Sequence, residues 1–467
     1  MEKSPVPLAG RRALEYLEGV ADRPVRALAT SAELRQMLDR PLADAGEPAD
    51  LIINRLADAG LRGTIASQGP RYFGFVVGGS LPVATAADWL VSAWDQNCGV
   101  YVLSPIVSVV EDVAASWLRE LAGLPASWSV GFVTGCQMAN FTAIAAARQK
   151  LLADAGWDVN AQGLFGAPPI HVFVSDESHY TIFAALRMLG LGAERLTRIP
   201  TDDQGRMRAQ PLAAGLRAAT RPALVCAQAG NVNTGAFDPI ADIADATRDR
   251  GAWLHVDGAF GLWAAASEPR RHLVAGVARA DSVATDAHKW LNVPYDCGVA
   301  FCAHPEAHRR AMSLSAAYIV ESAAERDPRD FVPEESRRAR AVPVYAAIAT
   351  LGRHGLADLV ERTCRLASRM AERLSRHPSL RVLNNVVLNQ VLVRVQQDKS
   401  AQAQDLTRDM IARLQQDGTC WAGGTTWHGM AALRISISNW STTESDIDRS
   451  ADAIVAATDA AVARSKA

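Results

Sequence analysis

The sequence lacks the long run that a membrane-spanning helix requires, because it nowhere has about 18 or more consecutive apolar residues without a charge. It also lacks a basic excess: 48 Lys and Arg residues oppose 50 Asp and Glu residues, for a net charge of -2. This balance gives no electrostatic reason to expect nucleic acid or an anionic membrane as a partner. The first residues carry no apolar stretch behind basic residues, so we expect a cytoplasmic location and small-molecule partners.

Cysteine is also scarce, with seven residues in 467. The seven are scattered, odd in number and without a Cys-x-x-Cys pair, which argues against a disulfide framework and against a zinc site. We therefore expect reduced, mostly buried thiols and no bound metal.

The length favours several parts, since a single hydrophobic core stops growing well below 467 residues. Residues 1–65 have a helical pattern broken by prolines and too few apolar residues for a core of their own. We interpret them as an arm exchanged across a homodimer. Residues 66–340 form a predicted large domain, and residues 341–467 a small C-terminal α+β domain that ends in a long Ala-rich helix.

The large domain alternates short β-rich runs with helical stretches, which indicates an α/β fold with a mainly parallel sheet. The predicted strands are Ile170 to Ser175, Leu196 to Ile199, Ala223 to Ala227, Trp253 to Asp257, Ser282 to Thr285 and Val299 to Cys302. In such sheets ligands bind at the carboxyl ends of the strands.

Two of these strand ends carry residues suited to catalysis. The run T-D-A-H-K-W-L-N-V-P places Lys289 just past a strand, where its amine could form an imine with an aldehyde; the alternative is a solvated surface lysine. The run W-L-H-V-D-G-A-F-G ends a strand at Asp257, which alone could also be a metal ligand or a helix cap. Together they favour a cofactor site, because a buried carboxylate needs a cationic partner such as a protonated pyridine nitrogen.

Two further runs are weaker signals. In F-V-T-G-C-Q-M-A-N, Gly135 lies at a predicted helix start, where free backbone N–H groups can hold a phosphate. In V-S-D-E-S-H-Y, His179 follows a predicted strand and could stack on a cofactor ring or lie in a surface loop.

In this order, the four runs resemble the group II pyridoxal-phosphate decarboxylases, the family of aromatic-amino-acid, glutamate and cysteine-sulfinate decarboxylases. G-P-R-Y-F from Gly69, A-A-D-W-L from Ala86 and L-R-I-S-I-S-N from Leu433 extend the similarity over nearly the whole chain. The resemblance implies a type I aminotransferase-like fold, pyridoxal 5′-phosphate as cofactor and a homodimer with active sites at the subunit interface. It also implies decarboxylation of an L-amino acid to an amine and CO₂, a lyase reaction of amino-acid and carboxylic-acid metabolism.

The resemblance assigns catalytic roles to three residues. Lys289 carries the cofactor, Asp257 pairs with the ring nitrogen and His179 stacks on the ring. The other positions that it assigns to cofactor binding are Gly135, Cys136, Ala259, Asn231, His288 and Asp286. Asn231 stands where the family usually has threonine, and Asp286 where it has asparagine, so a carboxylate at Asp286 would repel the phosphate unless it is turned away.

For the substrate, the resemblance makes Arg434 the partner of the α-carboxylate. We also predict substrate contacts from Phe75, Asn97 and Tyr101, whose surroundings follow neither the aromatic nor the glutamate pattern. The polar residues around Asn97 could recognise a polar side chain, or they could form a structural network. The substrate stays open.

A mobile catalytic loop is predicted at about 312–335, where the family contributes a tyrosine that protonates Cα. The alignment puts Pro328 at that position, and the nearby tyrosines are Tyr318 and Tyr295. Without the tyrosine, the carbanion could meet O₂, so an aldehyde-forming oxidative deamination is the alternative reaction. Another pyridoxal-phosphate reaction, or a catalytically idle scaffold, is a further possibility.

Overall fold

The computed structural model describes residues 4–219, 222–313, 325–396 and 400–464. The chain divides into two compact units. The first comprises Met1–Val77, Ser368–Leu383 and Val391–Ala467, and the second Gly78–Ala367 and Asn384–Gln390. None of the helices in the described ranges has the length and apolar character needed to cross a membrane.

The α-helices are α1 Val6–Gly19, α2 Ser31–Leu38, α3 Ala49–Gly63, α4 Pro82–Trp94, α5 Pro105–Ala122, α6 Cys136–Asp154, α7 Val159–Gln162, α8 Tyr180–Met188, α9 Ala209–Ala218, α10 Ile240–Arg248, α11 Pro305–Met312, α12 Ala341–Ser375, α13 Ala401–Asp417 and α14 Glu444–Arg464. Helix α12 is interrupted at Gly352, whose φ of 58° is not helical.

The strands are β1 Ser129–Val133, β2 His171–Ser175, β3 Thr197–Ile199, β4 Ala223–Gln228, β5 Trp253–Asp257, β6 Ser282–Asp286, β7 Gly298–Cys302, β8 Leu380–Val382, β9 Gln390–Val395, β10 Gly423–Trp427 and β11 Met430–Ser436.

The second unit is built on a seven-stranded sheet in the order β1-β7-β6-β5-β4-β2-β3. Parallel pairing joins β3 to β2, β2 to β4, β4 to β5 and β5 to β6, and β7 runs antiparallel to both of its neighbours. The prediction of a mainly parallel α/β sheet is thus confirmed. All six predicted strands form, whereas β1 was not predicted.

Helix α6 packs closely on this sheet because its surface is dominated by small side chains. Its buried residues include Ala139, Ala143 and Ala147, and Ile144 joins the core beside Leu224 of β4. Small residues allow a helix to approach a sheet closely, so the first turn of α6 comes directly against the ends of β5 and β6, as the contacts below show.

The first unit contains the other sheet, in the order β10-β11-β9-β8, with antiparallel pairs β10–β11 and β8–β9. The N-terminal helices belong to the same unit but contribute little to its interior. Helices α1 and α2 have no buried residue, and α3 has only Ala59. The predicted domain boundaries after residues 65 and 340 stay predictions.

Candidate active site

Lys289 and Asp257 lie at the same edge of the sheet in the second unit. Asp257 is the last residue of β5, and Lys289 follows the end of β6, its parallel neighbour. Neighbouring parallel strands have their carboxyl ends at the same edge of the sheet, so these two residues share that edge although they are far apart in the sequence.

The amine of Lys289 is paired with a carboxylate. Its Nζ lies 3.0 Å from Oδ2 of Asp286, and Oδ1 of Asp286 accepts the backbone N–H of Cys136 at 2.5 Å. Burial acts to lower the pKa of Lys289, but the surrounding groups, Asp286 first among them with Cys136 and Asp257, together outweigh it, and the net pKa is raised above its ordinary value. The resting lysine is therefore an ammonium, and it must lose a proton before it can act as a nucleophile.

His288 is held in a defined tautomer. Its Nδ1 accepts the backbone N–H of Cys297 at 3.1 Å, so in the neutral ring the proton is on Nε2, which lies 3.4 Å from Oδ1 of Asp286. Burial lowers the pKa of His288, which keeps the ring neutral at neutral pH. The His288 ring also packs at a tilt on the ring of Tyr295, with ring centroids 4.4 Å apart.

Asp257 is buried and held by three donors. Its Oδ1 accepts from the N–H of Ala259 at 3.1 Å and lies 3.5 Å from Sγ of Cys136, while Oδ2 accepts from Nδ2 of Asn140 at 3.1 Å. Within the ranges that the structure describes, no ion-pair distance joins a cation to this carboxylate. A buried carboxylate with hydrogen bonds but no counter-ion fits a protonated ring nitrogen as its missing partner.

Behind Asp257 runs a chain of buried hydrogen bonds with a single consistent direction. Trp253 Nε1 donates to Ser282 Oγ, Ser282 Oγ to His255 Nδ1, and His255 Nε2 to Asn140 Oδ1, each at 2.9 Å. Asn140 Nδ2 then donates to Asp257. Burial lowers the pKa of His255 to about 4, so the ring is neutral, as this direction requires. The chain fixes the orientation of the Asp257 carboxylate.

The N-terminus of α6 is tightly packed at Gly135. A Cβ there would lie 3.1 Å from the His288 ring, and a Cβ on Gly298 would lie 2.3 Å from the Gly135 carbonyl carbon. The resemblance assigns this close backbone approach to the phosphate, but Asp286 Oδ1 accepts the Cys136 N–H there, so the phosphate contacts of Gly135 and Cys136 stay predictions. The amine of Lys289 and the buried carboxylate of Asp257 fit pyridoxal phosphate.

The remaining predicted cofactor residues belong to the second unit. His179 is half-buried just before α8, with Nδ1 2.8 Å from Oγ1 of Thr181. Asn231 is buried, and its Oδ1 accepts the backbone N–H groups of Asn233 and Thr234, so its side chain shapes its own turn. The cofactor contacts of His179 and Asn231 stay predictions.

Of the predicted substrate residues, Asn97 and Tyr101 belong to the second unit. Asn97 binds Ser336 Oγ and the backbone N–H groups of Gly99 and Arg337, so the structural-network reading of this polar region has direct support. The backbone N–H of Tyr101 donates to Asp327. The substrate contacts of both residues stay predictions.

Phe75 and Arg434 belong to the first unit. Phe75 is exposed and stacks on Trp421, with ring centroids 5.5 Å apart. Arg434 lies on β11, half-buried, and burial lowers its pKa. Their substrate contacts also stay predictions.

The segment that carries Pro328 is anchored in the second unit. Pro328 is buried in a short 3₁₀-helix, Pro328–Phe331. Asp327 accepts the N–H of Tyr101 at 2.8 Å, and the backbone N–H of Arg329 donates to Gly99 at 2.9 Å. Tyr318 lies outside the described residues.

The four residues behind Asp257 were not predicted, although the sequence carries a signal for them. Trp253, His255 and Asp257 are spaced by two on one strand and so share a face of the sheet. Ser282 is the direct partner of His255 on β6. A buried histidine two residues before a candidate catalytic aspartate is the pattern that could have indicated the network.

A family model described as the pyridoxal-dependent decarboxylase conserved domain matches residues 32–396. The chain therefore belongs to the pyridoxal-dependent decarboxylase family. This result confirms the predicted resemblance, the lyase class and the cofactor.

Individual proteins support the same assignment. The chain is 31% identical to acidic amino acid decarboxylase GADL1 of Bos taurus, over 75% of this chain and 68% of that one. It is 26% identical to aromatic-L-amino-acid decarboxylase of Bacillus atrophaeus, over 92% and 90%. The crystal structure of Oryza sativa TDC with PLP and tryptamine superposes with a TM-score of 0.90 at 22% identity, covering 98% of this chain and 99% of that one, which confirms the predicted fold.

Proposed function

We propose that this chain decarboxylates an L-amino acid to the corresponding amine and CO₂ at the site formed by Lys289, Asp257 and the N-terminus of α6. Two contacts at Cys136 carry the proposal. Asp286, the partner of the Lys289 amine, accepts the Cys136 N–H. Asp257, a buried carboxylate lacking a counter-ion, lies beside the Cys136 thiol. Pyridoxal phosphate, when bound, supplies an aldehyde for amines and a ring that takes up the electrons released with CO₂.

Individual residues of the chain have separate roles in this reaction. Asp257, oriented by Asn140, holds the proton on the ring nitrogen and so keeps the ring an electron sink. Asp286 lies 3.0 Å from Nζ of Lys289, near enough to take the proton that this amine must lose. The backbone at Gly135 would hold the phosphate.

The first test is turnover of a panel of L-amino acids by the cofactor-loaded protein, with CO₂, amine, ammonia and peroxide measured in one reaction. We expect CO₂ and amine in equal amounts. Borohydride reduction and peptide mass analysis should find the cofactor on Lys289, and Lys289→Ala should lose both activity and labelling. Lys150→Ala removes a lysine that pairs with Asp154 on α6 and is the matched control. Absence of CO₂ with every substrate would refute the proposal.

One observation favours the oxidative alternative. Pro328, at the position where the family has its tyrosine, has no proton to donate and is buried in a fixed turn. If nothing else protonated Cα, O₂ would accept the electrons, giving aldehyde, ammonia and peroxide. Peroxide and ammonia in amounts equal to CO₂ would establish that reaction.

The predicted homodimer is also part of the proposal. Apolar side chains about half exposed occupy consecutive elements of the second unit: Trp89, Leu90 and Trp94 on α4, Val102 and Leu103 after it, and Ile106 and Val109 on α5. Exposed apolar groups of this number are typical of an interface, and a second copy of the chain is the occupant we propose.

Sedimentation of the wild-type chain should give the mass of two copies. Leu103→Asp and Ile106→Asp should shift it towards one copy, because each places a charge in the proposed interface. Phe165→Asp changes a side chain that is 99% exposed and serves as the control. A monomeric wild type would refute the dimer and, with it, the expectation that the active sites lie at a subunit interface.

A further inference from the structure

Tyr295 lies in the loop between β6 and β7, which is closed tightly at its base. The backbone N–H groups of Ala287 and His288 donate to the Cys297 carbonyl at 3.0 and 3.2 Å, and the Cys297 N–H donates back to His288 Nδ1. These bonds bring residue 297 alongside residues 287 and 288. The loop therefore returns Tyr295 to the residue that precedes Lys289.

The side chain of Tyr295 packs on one neighbour, and the residue that follows it in the chain is anchored. Its ring packs on His288, with centroids 4.4 Å apart and planes inclined by 33°. The next residue, Asp296, is anchored by Nε of Arg340 at 2.8 Å. Tyr295 is nevertheless 62% exposed, so it is a held phenol with access to water rather than a core residue.

The other groups at this place are poor acids. His288 is neutral, and its Nε2 proton faces Asp286. The Lys289 ammonium is paired with the same carboxylate. Partial desolvation of the ring raises the pKa of Tyr295, the Lys289 ammonium opposes this and the Asp286 carboxylate adds to it, so the phenol keeps its proton at neutral pH.

We propose that Tyr295 is the acid that protonates the substrate Cα, in place of a loop tyrosine at position 328. The role rests on the proposed function. The C–C bond to the carboxylate breaks and its electron pair forms the new C–H bond with the phenolic proton. The resulting tyrosinate regains a proton from water, to which it is exposed. No oxidant is consumed, and the product is the amine.

The test compares wild type, Tyr295→Phe and Tyr345→Phe, all loaded with cofactor. Tyr345 is a partly exposed tyrosine whose ring stacks on that of Trp117, and it serves as the control. Two rates are measured: amine formation from amino acid, and exchange of the amine Cα hydrogen with deuterium oxide, which requires the same proton transfer but no CO₂ release. Tyr295→Phe should lower both by about 10²–10⁴-fold with an unchanged cofactor spectrum and little change in KM, because general acids contribute in that range.

A spectroscopic titration gives a readout independent of turnover. The tyrosinate absorbance of the cofactor-free wild type minus that of Tyr295→Phe isolates the titration of Tyr295. The same difference is then measured between two proteins that both carry Lys289→Ala. The titration of Tyr295 should move to higher pH there, because the ammonium that lowers the pKa of the phenol is gone.

The outcomes separate this inference from the proposed function. CO₂ release with unaffected rates in Tyr295→Phe, or an unmoved titration, would overturn the role of Tyr295 alone. Tyr295-dependent exchange without CO₂ release from any amino acid would support the role of Tyr295 and overturn the decarboxylase function. No exchange in the wild type would overturn the role of Tyr295.

Discussion

Asn140 connects the carboxylate of Asp257 to the buried chain behind it, so its removal should be costly. Asn140→Ala leaves a fully buried carboxylate oxygen and His255 Nε2 without their partners. Losing the charged hydrogen bond costs about 2–3 kcal/mol and the unsatisfied ring N–H about 1–3 kcal/mol, since hydrogen bonds to charged groups and unpaired buried donors fall in those ranges. We expect a total cost of about 3–6 kcal/mol in the free energy of unfolding of the cofactor-free protein.

The assay is urea unfolding of wild type, Asn140→Ala and the surface control Asn160→Ala, which loses only an exposed bond to the Arg310 carbonyl. The control should cost less than about 1 kcal/mol. Cofactor affinity should fall in Asn140→Ala alone, because the freed Asp257 is no longer oriented towards the ring nitrogen.

A double-mutant cycle with His255→Ala tests the mechanism itself. The double variant should cost about 1–3 kcal/mol less than the sum of the single variants, because the penalty for an unpaired His255 N–H disappears with the ring. Additivity within about 0.5 kcal/mol, or an Asn140→Ala cost equal to that of Asn160→Ala, would refute the network as described.

Three further changes probe the same edge of the sheet. Asp286→Asn should lower the pKa of Lys289, so that cofactor attachment, followed by absorbance, sets in at lower pH than in wild type; an unchanged profile would contradict the ion pair. Gly78→Ala should weaken cofactor binding and lower stability, because a Cβ at Gly78 would lie 1.7 Å from the Lys289 carbonyl oxygen. Gly60→Ala is the control, since a Cβ at Gly60 meets nothing within 4 Å. Equal effects of the two substitutions in thermal melts would disprove this prediction. The unfolded chain protonates His255 below its ordinary 6.5 but the folded chain only below about 4, so stability should fall by about 3 kcal/mol as pH drops across that window, and the fall should be smaller in His255→Gln.

The sequence was sufficient to predict the parallel strands, and to predict Asp257 at the end of β5 and Lys289 just after the end of β6 as the candidate catalytic residues. Strands such as Trp253–Asp257 combine an apolar run with an abrupt polar end, a signal that is local and therefore readable. Strand β1 escaped prediction because S-V-G-F-V is short, has a glycine at its centre and is buried on both faces, which removes the alternation that identifies a strand.

Only the tertiary structure decided what surrounds those two residues. Asn140 and His255 meet although 115 residues separate them, because α6 packs on the sheet across β5, β6 and β7. The packing of Tyr295 on His288 likewise depends on the return of the loop at Cys297, a backbone contact with no signature in the residues themselves. Residue type and local periodicity thus determined which groups could do chemistry, whereas helix-on-sheet packing and loop closure determined which of them are held, charged and within reach of one another.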